Sequence, residues 1–210
     1  MKFLLVAATQ NEVQPIISQF ELIEEQELFC CDKFDLLITG VGMVATAFML
    51  GKHLAGRKYR FAINAGVAGS FNHKINLGEV VNVTKDCFCE LGAEDGDLFI
   101  PLEELGLGES KIKPIESGIK HDLPTVKGIT VNTIHGNEKS IEVLRTRLNP
   151  GVESMEGAAF FYACNHHNLP SIQIRAISNY VEKRNRGNWK ISLAIDNLNN
   201  KVIELISTFQ

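Results

Sequence analysis

Two carboxylates stand three residues apart in G-V-E-S-M-E-G-A-A, residues 151–159, where Glu153 and Glu156 precede a run of small side chains. Small residues let a ligand come close to the backbone, and the pattern reads as a strand-to-helix junction. Further along, R-A-I-S-N at 175–179 ends an apolar run carrying Ile172, Ile174 and Ile177 in the polar pair Ser178 and Asn179. A side-chain amide is thereby placed at the carboxyl end of a buried strand, where open α/β sheets bind ligands. Acceptor carboxylates beside such an amide suit nucleoside chemistry. Taken singly, Glu156 also reads as a first-turn helix acid interacting with the helix dipole, and Asn179 as a turn residue.

Apolar runs and helical periodicity alternate along the chain. Strands are expected over 2–8, 34–39, 61–65, 79–84, 129–134, into Glu153, and over 171–178. Helices are expected from 11 toward 20, over 43–55, 138–148 and 156–166, and from about 189 to 207. This is α/β order. Residues 90–124 are acidic in their first half and rich in Gly and Pro; a loop of that length is functional or partly structured. Part of the pocket or a subunit contact is expected there. No repeat or linker interrupts the chain, so residues 1–210 read as a single domain.

With 210 residues and 45% hydrophobic content, one domain can bury a sizeable core. A net charge of −4 and the absence of a Lys/Arg-rich block argue against a nucleic-acid partner. Five cysteines, an odd number without a C-x-x-C spacing, suggest reduced thiols and a cytoplasmic setting rather than disulfides or zinc. The first apolar run, 3–8, is shorter than the roughly 7 to 15 residues of a secretory segment, and no stretch is long enough to span a membrane. Glu90, Glu94, Asp95 and Asp97 lack the donor spacing of a calcium loop and read as a solvated acidic loop. His166 and His167 fall at an expected helix end, where cations are favoured, so they read as caps and no metal site is expected.

G-V-G-M-V-A at 40–45 matches a dinucleotide fingerprint, G-x-G-x-x-A. An NAD site also needs a carboxylate roughly 20 residues on, and none occurs from 36 to 78. An NADP variant using Arg57 or Arg60 stays open; a tight strand-to-helix turn accounts for the glycines without any cofactor.

T-Q-N-E-V at 9–13, N-A-G-V-A-G-S-F at 64–71, E-S-M-E-G-A-A, and R-A-I-S-N running into Y-V-E-K-R-N-R-G-N-W complete a set of motifs in one order along most of the chain. The set resembles the purine nucleoside phosphorylase and nucleosidase superfamily and, within it, the futalosine hydrolases. The resemblance implies a three-layer α/β/α fold around a central mixed, partly barrel-like sheet, a homo-oligomer, a purine nucleoside substrate, no cofactor and no metal. It also implies cleavage of futalosine to hypoxanthine in a route to menaquinone. A methylthioadenosine/S-adenosylhomocysteine-type nucleosidase, a phosphate-dependent phosphorylase and a non-catalytic nucleoside-binding protein are the alternatives.

Breaking an N-ribosidic bond develops oxocarbenium character on the sugar, so water aimed at C1′, acceptors for the ribose hydroxyls and support for the leaving base all help. The family pattern puts Glu12 on the water as general base, Glu156 on the ribose hydroxyls with Met155 against the sugar face, and Asn179 on the base. Ala68, Gly69 and Ser70 are expected to shape a loop beside the sugar, with Ile134 and His135 on the base side and Glu153 and Ser178 nearby. Arg184 and Arg186 are the candidates for a 5′ carboxylate, and Trp189 lines the same end or anchors the last helix. A phosphate nucleophile wants cations, yet neither 4–19 nor 62–71 contains Lys or Arg, which favours water. An Asn at 179, where adenosine-type nucleosidases carry Asp, offers amide donors to N7 and O6 and so suits a 6-oxopurine.

Overall fold

The computed structural model describes residues 1–209; Gln210, the last residue of the expected single domain, lies outside the described residues. In chain order the elements are β1 (Phe3–Ala7), α1 (Gln10–Gln19), β2 (Ile23–Glu25), β3 (Leu28–Cys30), β4 (Phe34–Ile38), α2 (Met43–Leu54), β5 (Ala62–Ser70), β6 (Val80–Cys87), β7 (Gly92–Asp95), β8 (Leu98–Pro101), α3 (Leu102–Leu105), β9 (Lys111–Ile112), β10 (Thr125–Thr130), α4 (Glu138–Leu148), β11 (Val152–Ser154), α5 (Gly157–His166), β12 (Ser171–Tyr180), a 3-10 turn (Arg186–Asn188) and α6 (Ile191–Ser207).

The main sheet runs β11-β10-β6-β12-β5-β1-β4-β3-β2, with both parallel and antiparallel pairings. A further antiparallel pairing of β11 with β5 closes β5, β12, β6, β10 and β11 into a ring. That closure is the partly barrel-like sheet the motifs imply, and helices cover both faces. In β1, Phe3, Leu5 and Ala7 join Val13, Ile16, Leu198 and Val202 in one core, while Leu4 and Val6 join Leu50, Phe160 and Phe161 in the other. A strand buried on both faces must be apolar at every position, which is why 3–8 reads as a continuous run. α1 and α6 form one outer layer, and α2 with α5 the other.

Two expectations shift, 90–124 is partly structured as expected, and one hairpin was unforeseen. N-A-G-V-A-G-S-F is no loop: β5 continues through Ser70, because β12 and β11 pair with it along that length. The strand expected over 129–134 sits at Thr125–Thr130, since Thr130 is where its pairing with β11 ends. Residues 90–124 contain the hairpin β7–β8, the single turn α3 and the short β9, and the hairpin β2–β3 was not expected at all. Its polar, exposed strand Ile23–Glu25 lacks an apolar pattern to reveal it.

Candidate active site

At the carboxyl ends of β1, β5 and β12 lies a cavity of about 320 Å³, lined by Glu12, Ala68, Gly69, Ile134, Glu153, Met155, Glu156, Ser178, Asn179 and Trp189 among others. A larger cavity of about 600 Å³ lies against α2 and α5, with Met43, Val44, Phe88, Leu107 and Tyr162 in its wall. Chemistry points to the smaller one, where buried carboxylates converge.

Glu12 is positioned by the first turn of α1. Its Oε2 accepts from the backbone N–H of Thr9 at 3.0 Å and the Thr9 hydroxyl at 2.9 Å, so it does cap its helix. Its Oε1 accepts from the N–H of Val67 at 3.1 Å, tying the carboxylate to β5. Capping and facing the cavity are thus compatible, because a carboxylate has two oxygens.

Glu156 begins α5 and is 8% exposed. Its oxygens accept from the N–H of Gly42 at 3.0 Å and of Met155 at 3.2 Å. Burial raises its carboxyl pKa, with the charge of Arg175 opposing that shift. Gly42 has φ +96, a backbone state that favours glycine, and its N–H is spent on Glu156 rather than on a pyrophosphate. Gly42 therefore serves the carboxylate, and the dinucleotide reading of that turn is set aside.

Asn179 owes its aim to a register shift between Ile177 and Asn179, where β12 bulges against β5. The hydroxyl of Ser178 donates to its Oδ1 at 2.8 Å, and its Nδ2 donates to the carbonyl of Tyr180 at 3.0 Å. A β-carbon at Gly69 would stand 3.1 Å from that Nδ2, so glycine makes room for the amide.

Glu153 lines the cavity but is 2% exposed and clamped by His135, whose N–H donates at 3.1 Å and whose Nδ1 lies 2.9 Å from the carboxylate. Burial raises this carboxyl too, against the hydrogen bond from His135. The pair holds the loop that carries Ile134 into the wall, which leaves His135 outside the cavity lining. Ser70 is also displaced from its expected place: it is fully buried, its hydroxyl donates to the carbonyl of Asn72 at 3.0 Å, and its side chain pins a turn. Arg184 and Arg186 do not line the cavity either. They lie over the ring of Trp189 at 5.3 and 5.9 Å, outside the aromatic wall that Trp189 itself provides.

The residue that sequence reasoning passed over is Arg175. It is 1% exposed, its Nη2 donates a short hydrogen bond to Asn64 Oδ1, and its Nη1 donates to the carbonyl of Ile174 at 3.3 Å. Its Nε has no partner. Burial lowers its pKa, while the charges of Glu156, Glu12 and Asp86 support the guanidinium form. Residues 4–19 and 62–71 carry no Lys or Arg, and the cation behind the acids comes instead from β12, where it does not line the cavity. A charged residue inside an otherwise buried strand was the available signal.

The closed mixed sheet gathers its acids at the strand ends, with helices on both faces of an α/β fold. A family model described as the phosphorylase superfamily matches residues 2–208, and the chain belongs to that superfamily. The chain is 31% identical over 186 residues to the futalosine hydrolase of Streptomyces coelicolor, an alignment covering 83% of this chain and 79% of that protein. Identity to a 5′-methylthioadenosine/S-adenosylhomocysteine nucleosidase of Bacillus cereus is 25% over 211 residues, covering 87% of each. In fold, it superimposes on the Helicobacter pylori methylthioadenosine/S-adenosylhomocysteine nucleosidase crystallised with butyl-thio-DADMe-Immucillin-A, with a TM-score of 0.84, 14% identity, and coverage of 100% and 99% of the two chains.

Proposed function

We propose that this chain hydrolyses the N-ribosidic bond of futalosine, releasing hypoxanthine and dehypoxanthine futalosine, as one step of a menaquinone route. The observation that carries this reading is the convergence of Glu12, Glu156 and Asn179 on one small cavity. Glu12 orients a water and takes its proton as the water oxygen bonds to C1′. The C1′–N bond breaks with its electron pair going to the purine, and Asn179 donates to the anionic base, which then takes a proton from solvent. Glu156 accepts from the ribose hydroxyls, an interaction that strengthens as the sugar becomes cationic. Met155 packs against the sugar.

Arg175 stabilises the paired acids from below without contacting solvent. Glu12 shares that guanidinium with Glu156 and faces the cavity as an acceptor, which disfavours phosphate as nucleophile. The preference for water therefore rests on Glu12 and not on an absence of cations.

The test is incubation with futalosine, inosine and methylthioadenosine, with and without inorganic phosphate, followed by chromatography of the free base. Hypoxanthine from futalosine alone, indifferent to phosphate, is expected. Adenine from methylthioadenosine at a comparable rate, or a phosphate requirement, replaces this reading with one of the related activities; binding without cleavage leaves only a nucleoside-binding protein. Glu12→Gln is expected to lower turnover by about 100-fold to 10,000-fold.

The same reading includes a single domain, a homo-oligomer and a cytoplasmic setting. Support for the oligomer is the exposed apolar face around the larger cavity, with Val44 at 77%, Phe48 at 67% and Leu107 at 73% exposed. Sedimentation of Phe48→Asp beside the parent chain tests it. The cytoplasmic setting is supported by five unpaired thiols. No helix among the described residues is long and apolar enough to cross a membrane.

A further inference from the structure

At the end of β12 opposite Ser178 and Asn179, another cavity of about 560 Å³ opens beside Ser171 and Ile172. Seven residues of strand at ~3.3 Å each put it about 23 Å from the nucleoside site. Lys85 of β6, Lys127 of β10 and Lys113 all line it, and Glu116 is the one carboxylate in its wall. A smaller adjoining cavity of about 200 Å³ shares Lys85 and Lys127 and adds Lys111 and Arg147.

This clustering runs against the composition of the chain. Acidic side chains outnumber basic ones, 25 to 21. Lys2, Lys52 and Lys201 each pair with a carboxylate. Among the described residues, Lys85, Lys113 and Lys127 have no ion pair. Lys85 and Lys127 are moreover register partners on adjacent strands. Like charges directly opposite in a sheet destabilise it. That repulsion is a standing cost, and a bound anion would remove it.

We propose that this basin binds a small phosphorylated metabolite of about nucleotide size. Its phosphates sit among the three ammonium groups, and its less polar body lies on Val83, Ile119 and Ile172 of the same wall. Ammonium groups act as separate point charges and suit a multiply charged phosphate, whereas planar carboxylates favour the fork of an arginine. A concave seat on a chain of net charge −4 selects a compact anion over a long polyanion. Asp86 faces only the smaller cavity, where it is 1% exposed and already accepts from Thr130 and Gln173, so it does not oppose an anion in the larger one. The proposal is independent of how the nucleoside site is read.

Calorimetric titration of the full chain with pyrophosphate, and separately with ADP, tests it. Saturable binding with a Kd below about 1 mM at low salt is expected, weakening as salt rises. The double variant Lys85→Gln, Lys127→Gln is expected to lose at least about 10-fold in affinity for both probes. It should also melt no lower than the parent, because a like-charge pair has been removed, and cleave nucleoside at the parent rate. Tighter binding of ADP than of pyrophosphate, kept as a ratio when both weaken in the double variant, supports the apolar wall. No saturable binding of either probe up to about 10 mM, or binding that the double variant keeps in full, overturns the proposal.

Discussion

Glu12 and Arg175 face each other across the backbone of Gly66: a β-carbon built on that glycine would stand 3.1 Å from Glu12 Oε1 and 3.2 Å from Arg175 Nη1. An acid from the first helix and a base from the last strand are thus brought together over a residue that contributes only its backbone. Gly66→Ala pushes both groups while leaving β5 in place. Its expected effect is a loss of about 100-fold in kcat, since small misplacements of a reacting group cost that much, with the urea midpoint little changed. Parent-like turnover in a folded Gly66→Ala chain would remove Glu12 from the reaction.

Asn179→Asp is expected to move base preference toward 6-aminopurines. The Nδ2 of Asn179 donates to the carbonyl of Tyr180. A carboxylate oxygen in its place is repelled by that carbonyl, so the Asp side chain is expected to turn from Tyr180 toward the base, where its protonated form can donate to N7. The ratio of adenine released from methylthioadenosine to hypoxanthine from futalosine should rise about 10-fold or more. An unchanged ratio means Asn179 does not read the base.

Gly157 opens α5 directly over two buried polar groups, and a β-carbon there would stand 2.1 Å from Asp86 Oδ2 and 2.3 Å from Gln173 Oε1. Neither neighbour can yield, because Asp86 accepts from Gln173 at 2.9 Å and from Thr130 at 2.9 Å, and Thr130 in turn accepts from the N–H of Ala158 at 2.7 Å. Gly157→Ala is expected to cost about 3 kcal/mol in urea unfolding, the upper range for overpacking. A loss well under about 1 kcal/mol contradicts the packing described.

Burial raises the carboxyl pKa of Asp86, Glu153 and Glu156 above their ordinary values of 3.8, 4.5 and 4.5. The folded chain then holds protons that the unfolded chain has released. Their stabilising contribution is full below those ordinary values and is lost as pH rises through the raised, folded values. Asp86→Asn removes one such group, and a rotated Gln173 amide can still meet it. The variant should therefore gain stability relative to the parent as pH climbs above about 4, read as a shift in urea midpoint. A difference that does not vary with pH contradicts a proton held on Asp86.

Glu156 bears on activity in the same way. Its ionised form is the better acceptor for the ribose hydroxyls, so the acid limb of the kcat/KM profile should lie above the ordinary carboxylate range. Arg175→Gln leaves Asn64 without its guanidinium partner and removes the charge that opposes the shift, which is expected to move that limb further up. A limb that stays put separates Arg175 from the ionisation of Glu156.

Much of the frame was legible because burial leaves a pattern. The apolar run at 3–8, the helical period from 138 to 148 and the small residues after Glu156 each report a local environment that one element must satisfy. Local patterns could not show that β5 runs on through Ser70, since its length is set by β11 and β12, which come far later in the chain. The same holds for Ser70 itself, whose hydroxyl is used by a turn, and for Arg184 and Arg186, which Trp189 draws away from the cavity.

Composition and spacing alone determined the alternation of strands and helices and the order of the motifs, because these depend on neighbours within a few residues; the roles proposed for Glu12, Glu156 and Asn179 come from the family resemblance those motifs carry. Only the tertiary structure decided that Arg175 lies beneath the acids, that Glu153 is committed to His135, and that Gly42 supplies an N–H to Glu156. Those relationships join residues up to 163 positions apart, Glu12 with Arg175, and they exist because a sheet closed by β11 brings its strand ends to one place.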